Sequence, residues 1–227
     1  MKKKIKIIGL IIGVICLFGG AFVLKHYAFQ DAPITQNMTL EQIQQLPIKM
    51  AYVETEEGWN EASYASFCKK QLAGAKKSDC IMKVTPTGNL YINRGLILQE
   101  VSVKNVIKGQ CQYDTIWIKN GLKNSLIYRG KDVLLTGKDS SFMQEECEYL
   151  VFIEPAATNQ YSEKKVYEEF EEMWFGCYNL SKDSNTIVDA NEPDYNPDIE
   201  FYTSNEKLIE CYNNAKKELV KKYCVEK

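Results

Sequence analysis

The sequence predicts a mainly β protein with flanking helices: an N-terminal transmembrane helix, a small five-stranded barrel and a C-terminal amphipathic helix. Three observations lead to this fold class. A charge-free apolar run follows a basic start, over residues 7–24. Short β-branched and aromatic segments alternate with Gly and Pro turns over residues 79–155. Apolar residues recur at helical spacing over residues 205–223.

These patterns divide the chain into consecutive segments. In chain order they are a basic cytoplasmic segment, a transmembrane anchor, a linker, a helical lead-in, the barrel, and a helical C-terminal extension packed on the barrel: 1–6, 7–24, 25–38, 39–78, 79–155 and 156–227.

The apolar run of residues 7–24 is close to the length that a helix, at about 1.5 Å per residue, needs to cross a hydrocarbon core of about 30 Å. The lysines before it hold the N-terminus in the cytoplasm. We therefore expect a single-pass protein of the cell membrane, with the lipid bilayer as a partner and the C-terminal part extracytoplasmic. Two alternatives stay open: a cleaved signal peptide with small residues at 19–21, and a lipoprotein signal with Cys16 as the lipidated residue.

The lead-in and the barrel are predicted element by element. Thr39 and Gln42 fit a capping box at the start of a short helix that ends before Pro47. A second helix is expected over residues 61–72. Five barrel strands are expected. The first begins near Asp79, and the other four cover residues 97–107, 115–119, 133–136 and 149–153.

The C-terminal extension is expected to be helical. Val166, Phe170 and Trp174 lie at helical spacing, which predicts a helix over residues 162–174. Residues 205–223 form the clearest helix of the chain, which we expect to lie across the barrel. Between them, a loop contains acidic residues that are interpreted as solvated: Asp189, Glu192, Asp194, Asp198 and Glu200.

Three stretches of the barrel share the hydrophobic alternation and the Lys-Gly turn of a known family: residues 101–109, 114–118 and 149–153. In these the chain resembles the tissue-inhibitor-of-metalloprotease-like OB barrels of small exported bacterial proteins. The resemblance covers about a third of the chain and implies an OB-like five-stranded barrel. Inhibitors of that family use an N-terminal cysteine whose amine reaches the protease's metal. Here an anchor and about fifty further residues precede the barrel, so the resemblance implies a fold and not that mechanism.

Eight cysteines are present, and Cys16 lies in the anchor. In an exported domain the others are disulfide candidates, with one thiol left over: Cys68, Cys80, Cys111, Cys147, Cys177, Cys211 and Cys224. We expect Cys68 to pair with Cys80, Cys111 with Cys147, and Cys177 with Cys211 or Cys224. The last two cannot pair with each other, because they lie about 20 Å apart on one helix.

Several chemistries are excluded. The only histidine is His26, at the membrane exit, so Ser-His-Asp catalysis, Cys-His catalysis and histidine-bound zinc are excluded for the exported part. Without residues 1–25 the chain keeps 23 basic and 30 acidic residues, and this net negative charge opposes nucleic acid as a partner. We expect no catalytic residue, no cofactor and no metal site.

The sequence therefore predicts a membrane-anchored extracytoplasmic binding or interaction module that performs no covalent chemistry and has an extracytoplasmic protein as a partner. One alternative is a small extracytoplasmic enzyme that uses carboxylates or a free cysteine. Another is an inhibitor of an exported peptidase. A thiol with a lowered pKa, or a cleft with converging acids, would favour the enzyme.

Overall fold

The structure is a computed structural model, and it describes the following residues of the chain: 36–50, 60–93, 96–119, 125–129, 132–136, 141–156, 164–187 and 194–225. All of them belong to one compact unit, Gln36–Lys227. The predicted anchor and most of the predicted linker lie outside the described residues. Within the described ranges, no helix has both the length and the apolar character that a membrane span requires.

The helices begin at the caps that the sequence indicates. Thr39 accepts from the backbone of Gln42, and the Gln42 side chain accepts from the backbone of Thr39, so the predicted capping box is confirmed. Asn60 and Asn205 cap the two longer helices, and both cap residues have an extended backbone. The helices are α1 (Leu40–Gln44), α2 (Glu61–Lys77) and α3 (Glu206–Val220), and a π-helical turn, Lys221–Val225, follows α3.

Strands make up most of the remaining described chain. In chain order they are β1 (Asn37–Thr39), β2 (Ile48–Met50), β3 (Cys80–Asn93), β4 (Leu96–Lys108), β5 (Thr115–Lys119), β6 (Ser125–Arg129), β7 (Asp132–Thr136), β8 (Tyr149–Pro155), β9 (Val166–Glu169), β10 (Cys177–Asn179), β11 (Asn185–Ile187) and β12 (Phe201–Thr203).

Five strands close into a barrel. Neighbours pair in the order β3, β8, β9, β5, β4 and back to β3. Every pairing is antiparallel except that of β5 with β9, which is parallel. The mainly β fold class, the five-stranded barrel and the C-terminal helix are therefore confirmed.

The helix predicted over residues 162–174 is wrong, because Val166–Glu169 is the strand β9, which closes the barrel. Backbone bonds hold it on both sides: Trp117 donates to the carbonyl of Lys165, and Ala156 donates to the carbonyl of Val166. The spacing of apolar residues cannot distinguish a helix from a strand over so short a segment. Here the hydrogen bonds to neighbouring strands stabilise the strand.

The predicted fourth barrel strand is also wrong in its position. Asp132–Thr136 is a strand, but it pairs with β6 and β2 and lies outside the closed ring. Within the predicted helix of residues 162–174, Glu168 is likewise part of a sheet, where its carboxylate on β9 meets the Lys119 ammonium on β5 at 3.1 Å. Of residues 156–205, the described part consists of strands and turns.

The barrel wall separates two hydrophobic clusters. On β8, Tyr149, Val151 and Ile153 point into the barrel, whereas Leu150 and Phe152 point outward, toward α2 and α3. This explains why the segment is apolar on both faces, which is typical of a central strand. The outward cluster holds the predicted apolar stripe of α3: Leu208, Tyr212 and Leu219. The C-terminal helix thus packs against the outer side of the barrel, as expected.

Candidate functional site: a groove beside the C-terminal helix

A cavity of about 570 Å³ lies between α3 and the segment that follows β10. This volume is within the range of small-molecule sites. Its apolar lining comes from Leu180 on the loop and from Ile209 and Val220 on the helix, and all three pack against the outward hydrophobic cluster. We call this cavity the helix groove.

The helix groove follows from the way α3 packs. The stripe Leu208, Tyr212, Ala215 and Leu219 faces the barrel, and residues one or two positions further along the helix face the groove. These groove residues are Ile209, Asn213, Lys216, Lys217 and Val220.

A buried ion pair lies at the base of the groove. Lys216 Nζ is 3.0 Å from Glu200 Oε2, and only 9% and 8% of the two side chains are exposed. Lys216 also meets Asp183 Oδ1 at 2.6 Å and donates to the carbonyl of Lys182 at 2.9 Å. The ammonium thus donates hydrogen bonds to Glu200 and to the Lys182 carbonyl, and it forms an ion pair with Asp183.

The Glu200 carboxylate is equally well satisfied. Its Oε1 accepts from the backbone N–H of Asn179 and from the Tyr212 hydroxyl, both at 2.5 Å. Burial raises the pKa of Glu200, and the Lys216 charge together with these hydrogen bonds opposes that shift. Burial also raises the pKa of Tyr212 well above its ordinary value, which keeps the phenol a hydrogen-bond donor.

Two amides lie on opposite walls of the groove. Asn185 Nδ2, on β11, donates to Asn213 Oδ1, on α3, at 2.6 Å. The other amide atom, Asn185 Oδ1, is buried and has no hydrogen-bond partner. A buried acceptor without a partner is rare in folded proteins.

The seven cysteines of the described chain are free thiols. They fall into the two hydrophobic clusters: Cys80, Cys111, Cys147 and Cys177 with the barrel interior, and Cys68, Cys211 and Cys224 with the outward cluster. The structure therefore places only one of the expected pairs, Cys111 with Cys147, within a single cluster. The disulfide assignment stays a prediction.

The thiols with resolved shifts are not activated. Burial raises the pKa of Cys80, Cys177 and Cys224. The pKa of Cys211 rises to about 12, because burial and a hydrogen bond with the Cys68 thiol both disfavour the thiolate.

Cation ligands do not converge in the described ranges, where no group of three or more His, Cys, Asp or Glu side chains could hold a metal ion. In the acidic loop, Asp189 and Glu192 lie outside the described residues. Asp194 and Asp198 are exposed, as expected for a solvated loop. The interpretation is wrong for Glu200, whose side chain is buried against Lys216.

Sequence reasoning missed the groove and the Glu200–Lys216 pair. One signal was available: Lys216 follows Ala215 directly and lies one turn after Tyr212, so it borders the apolar stripe of α3. Nothing in the sequence linked it to Glu200, because that pairing depends on how α3 packs against the strand β12.

Comparison of the chain with protein-family models, with curated proteins and with solved structures gave no match.

Proposed function

We propose that this protein is a membrane-anchored extracytoplasmic module that binds a ligand non-covalently in the helix groove. Residues 7–24 form the anchor, and the closed barrel is an OB-like scaffold of the tissue-inhibitor-of-metalloprotease type. The groove supports this proposal above all: it has the volume of a ligand site, an apolar floor and a few polar groups on its walls.

The enzyme alternative has less support. The buried carboxylate of Glu200 is committed to Asn179, Tyr212 and Lys216, so no oxygen is left in position to serve a substrate as acid or base. The raised pKa values of four thiols oppose a cysteine nucleophile at these positions. These features favour binding over covalent chemistry.

The test uses the full-length chain in lipid nanodiscs. A library of small amides, amines and carboxylic acids is titrated while the unfolding temperature is followed, because a ligand that binds only the folded state raises that temperature. Asn213→Trp fills the groove, and Asn214→Trp is the matched control at an exposed neighbouring position outside the groove. We expect compounds that stabilise the wild type and Asn214→Trp but not Asn213→Trp.

Three results would contradict the proposal. If no compound stabilises the wild type, the binding function is wrong. If Asn213→Trp responds like the control, the groove is not the binding site. If mass spectrometry after incubation with esters, peptides and glycosides shows turnover that Asn213→Trp abolishes, the groove is catalytic and the chemistry is covalent.

A further inference from the structure

We infer that Cys80 and Cys111 are an oxidation site, at which a disulfide closes the open end of the β3–β4 hairpin. The site lies at the end of the barrel where β3 begins, and neither cysteine lines the helix groove. Three observations carry the inference: a glycine turn that brings the chain back to Cys80, the short approach between the two residues, and a strand register that keeps other cysteines away from Cys80.

The first observation is the turn that follows β4. Gly109 has a φ of 83°, and a Cβ there would lie 2.4 Å from the Asp79 carbonyl oxygen and 2.9 Å from Cys80 Sγ. Glycine is the residue that combines this backbone conformation with so close an approach. The end of β4 is also held in place, because Lys108 Nζ donates to the carbonyl of Ser78 at 2.6 Å. The chain that leaves β4 therefore passes directly beside the start of β3.

The second observation is the approach of the two cysteines. Cys80 Sγ lies 3.9 Å from the carbonyl oxygen of Gln110, the residue before Cys111. A carbonyl oxygen and the next Cα are about 2.8 Å apart, so Cys80 Sγ is within about 7 Å of the Cys111 Cα. Burial, and after it the neighbouring Cys111 and Cys80 thiols, raise the pKa of Tyr167 to about 12, so both thiols lie near one phenol. Cys111 lies in the loop between β4 and β5, outside any strand, and a small shift of this loop brings the two free sulfurs together.

The third observation is the strand register, which separates Cys80 from Cys147. Cys80 lies opposite Ile153 of β8, whereas Cys147 precedes Tyr149, at the other end of that strand. The strand from Tyr149 to Ile153 spans about 13 Å, whereas a disulfide requires Cα atoms within about 7 Å of each other. Cys147 is therefore too far away to bond to Cys80.

The other thiols of the described chain are also separated from Cys80. Cys177 lies on β10, which pairs with β8 on the side opposite β3, so two strand spacings, about 10 Å, separate it from Cys80. Three more belong to the outward cluster, on the other side of the barrel wall: Cys68, Cys211 and Cys224. Within the described residues, Cys111 is thus the partner that the fold brings to Cys80.

Glutathione disulfide is the oxidant in this reaction. Cys111 is half-buried and Cys80 is only 5% exposed, so the Cys111 thiolate attacks one sulfur of the oxidant first and releases one glutathione. Cys80 then attacks Cys111 Sγ in the mixed disulfide and releases the second glutathione. One S–S bond forms and one breaks, and the two electrons and two protons of the protein thiols leave on two glutathione thiols.

The test oxidises the reduced full-length chain in lipid nanodiscs with glutathione disulfide, alkylates the remaining thiols and digests the chain with pepsin at acid pH, where thiol exchange is slow. Mass spectrometry without reduction should show Cys80 linked to Cys111 as the dominant linkage of both residues. Oxidation should also raise the urea midpoint by about 1 M more in the wild type than in Cys111→Ser, because the disulfide closes a long loop of the unfolded chain.

The matched control is Cys147→Ala, in the same hydrophobic cluster, which should leave the Cys80–Cys111 link unchanged. Four results of the wild-type map would contradict the inference: a link of Cys111 to Cys147, a link of Cys80 to Cys68, a glutathione that stays on Cys111, or two free thiols after oxidation. The map needs no variant to fold, and its outcome does not depend on whether the helix groove binds a ligand.

Discussion

At Lys216 a single ammonium satisfies acceptors from three residues that are distant in sequence from the helix. It meets the Lys182 carbonyl, Asp183 and Glu200, and thereby joins α3 to the loop after β10 and to the residue before β12. A buried charge without its partner is costly, so this position is far more demanding than its neighbour Lys217, which is exposed on the same helix.

We predict that Lys216→Met lowers the free energy of unfolding by about 3 kcal/mol, because methionine keeps the apolar stem and leaves the Glu200 carboxylate buried without its cation. The matched control Lys217→Met should change it by no more than about 0.5 kcal/mol. Urea unfolding of both variants and of Lys216→Met/Glu200→Gln measures the difference. The double variant should recover part of the loss, and equal effects of the two single substitutions would contradict the buried-pair account.

At the scale of elements, α2 and α3 pack side by side on the outer face of the barrel. Gly74 lies inside α2, two residues beyond residue 72, where the sequence predicts that this helix ends. A Cβ there would lie 2.7 Å from Met173 Cγ, so the glycine allows α2 to approach the turn that follows β9. The helix therefore continues to Lys77.

The contact between these helices brings Cys68 of α2 close enough to Cys211 of α3 to disfavour the Cys211 thiolate and raise its pKa. We predict that glutathione disulfide oxidises this pair to a disulfide: its own S–S bond breaks, and the two electrons and two protons leave on two glutathione thiols. Peptide mapping without reduction should show a Cys68–Cys211 link, formed faster at alkaline pH because the pKa of Cys211 is raised to about 12.

Cys224→Ala serves as the control for this link and should leave it unchanged, while Cys211→Ala should remove it. A map dominated by Cys68–Cys80, or by Cys177 with Cys224, would support the pairing expected from the sequence and would contradict the one that the packing favours.

At the scale of the whole molecule, the proposed membrane anchor makes a prediction of its own. We expect the full-length chain to sediment with membranes and to resist alkaline washing. Ile11→Lys/Leu17→Lys should release it, because each lysine at the centre of a span costs about 2.5–3.5 kcal/mol on insertion scales. Ile187→Lys/Val225→Lys, an equal gain of charge at two exposed positions, should stay membrane-bound.

The mass of the purified protein distinguishes the uncleaved anchor from the two alternatives, a cleaved signal peptide and a lipoprotein. A chain that begins shortly after residue 21 would contradict the uncleaved anchor in favour of a signal peptide. A chain that begins at Cys16 and carries the added mass of a lipid would contradict the uncleaved anchor in favour of a lipoprotein. A wild-type chain that stays in the soluble fraction at full length would contradict all three.

The sequence by itself determined the local structure: the capping box at Thr39, the amphipathic helix α3, the strand Thr115–Lys119 and the two-sided strand β8. These features depend on the spacing of apolar residues and on neighbours within a few residues along the chain, which a single sequence shows directly. It also excluded histidine-dependent chemistry, because the only histidine is His26.

Only the tertiary structure decided which strand closes the barrel, and where the helix groove lies. Val166–Glu169 is too short for its periodicity to choose between helix and strand, and hydrogen bonds from β5 and β8 made the choice. Glu200 and Lys216 look like ordinary surface charges in sequence. They became a buried pair because α3 packs against the barrel, and burial is a property of the assembled fold that local sequence does not encode.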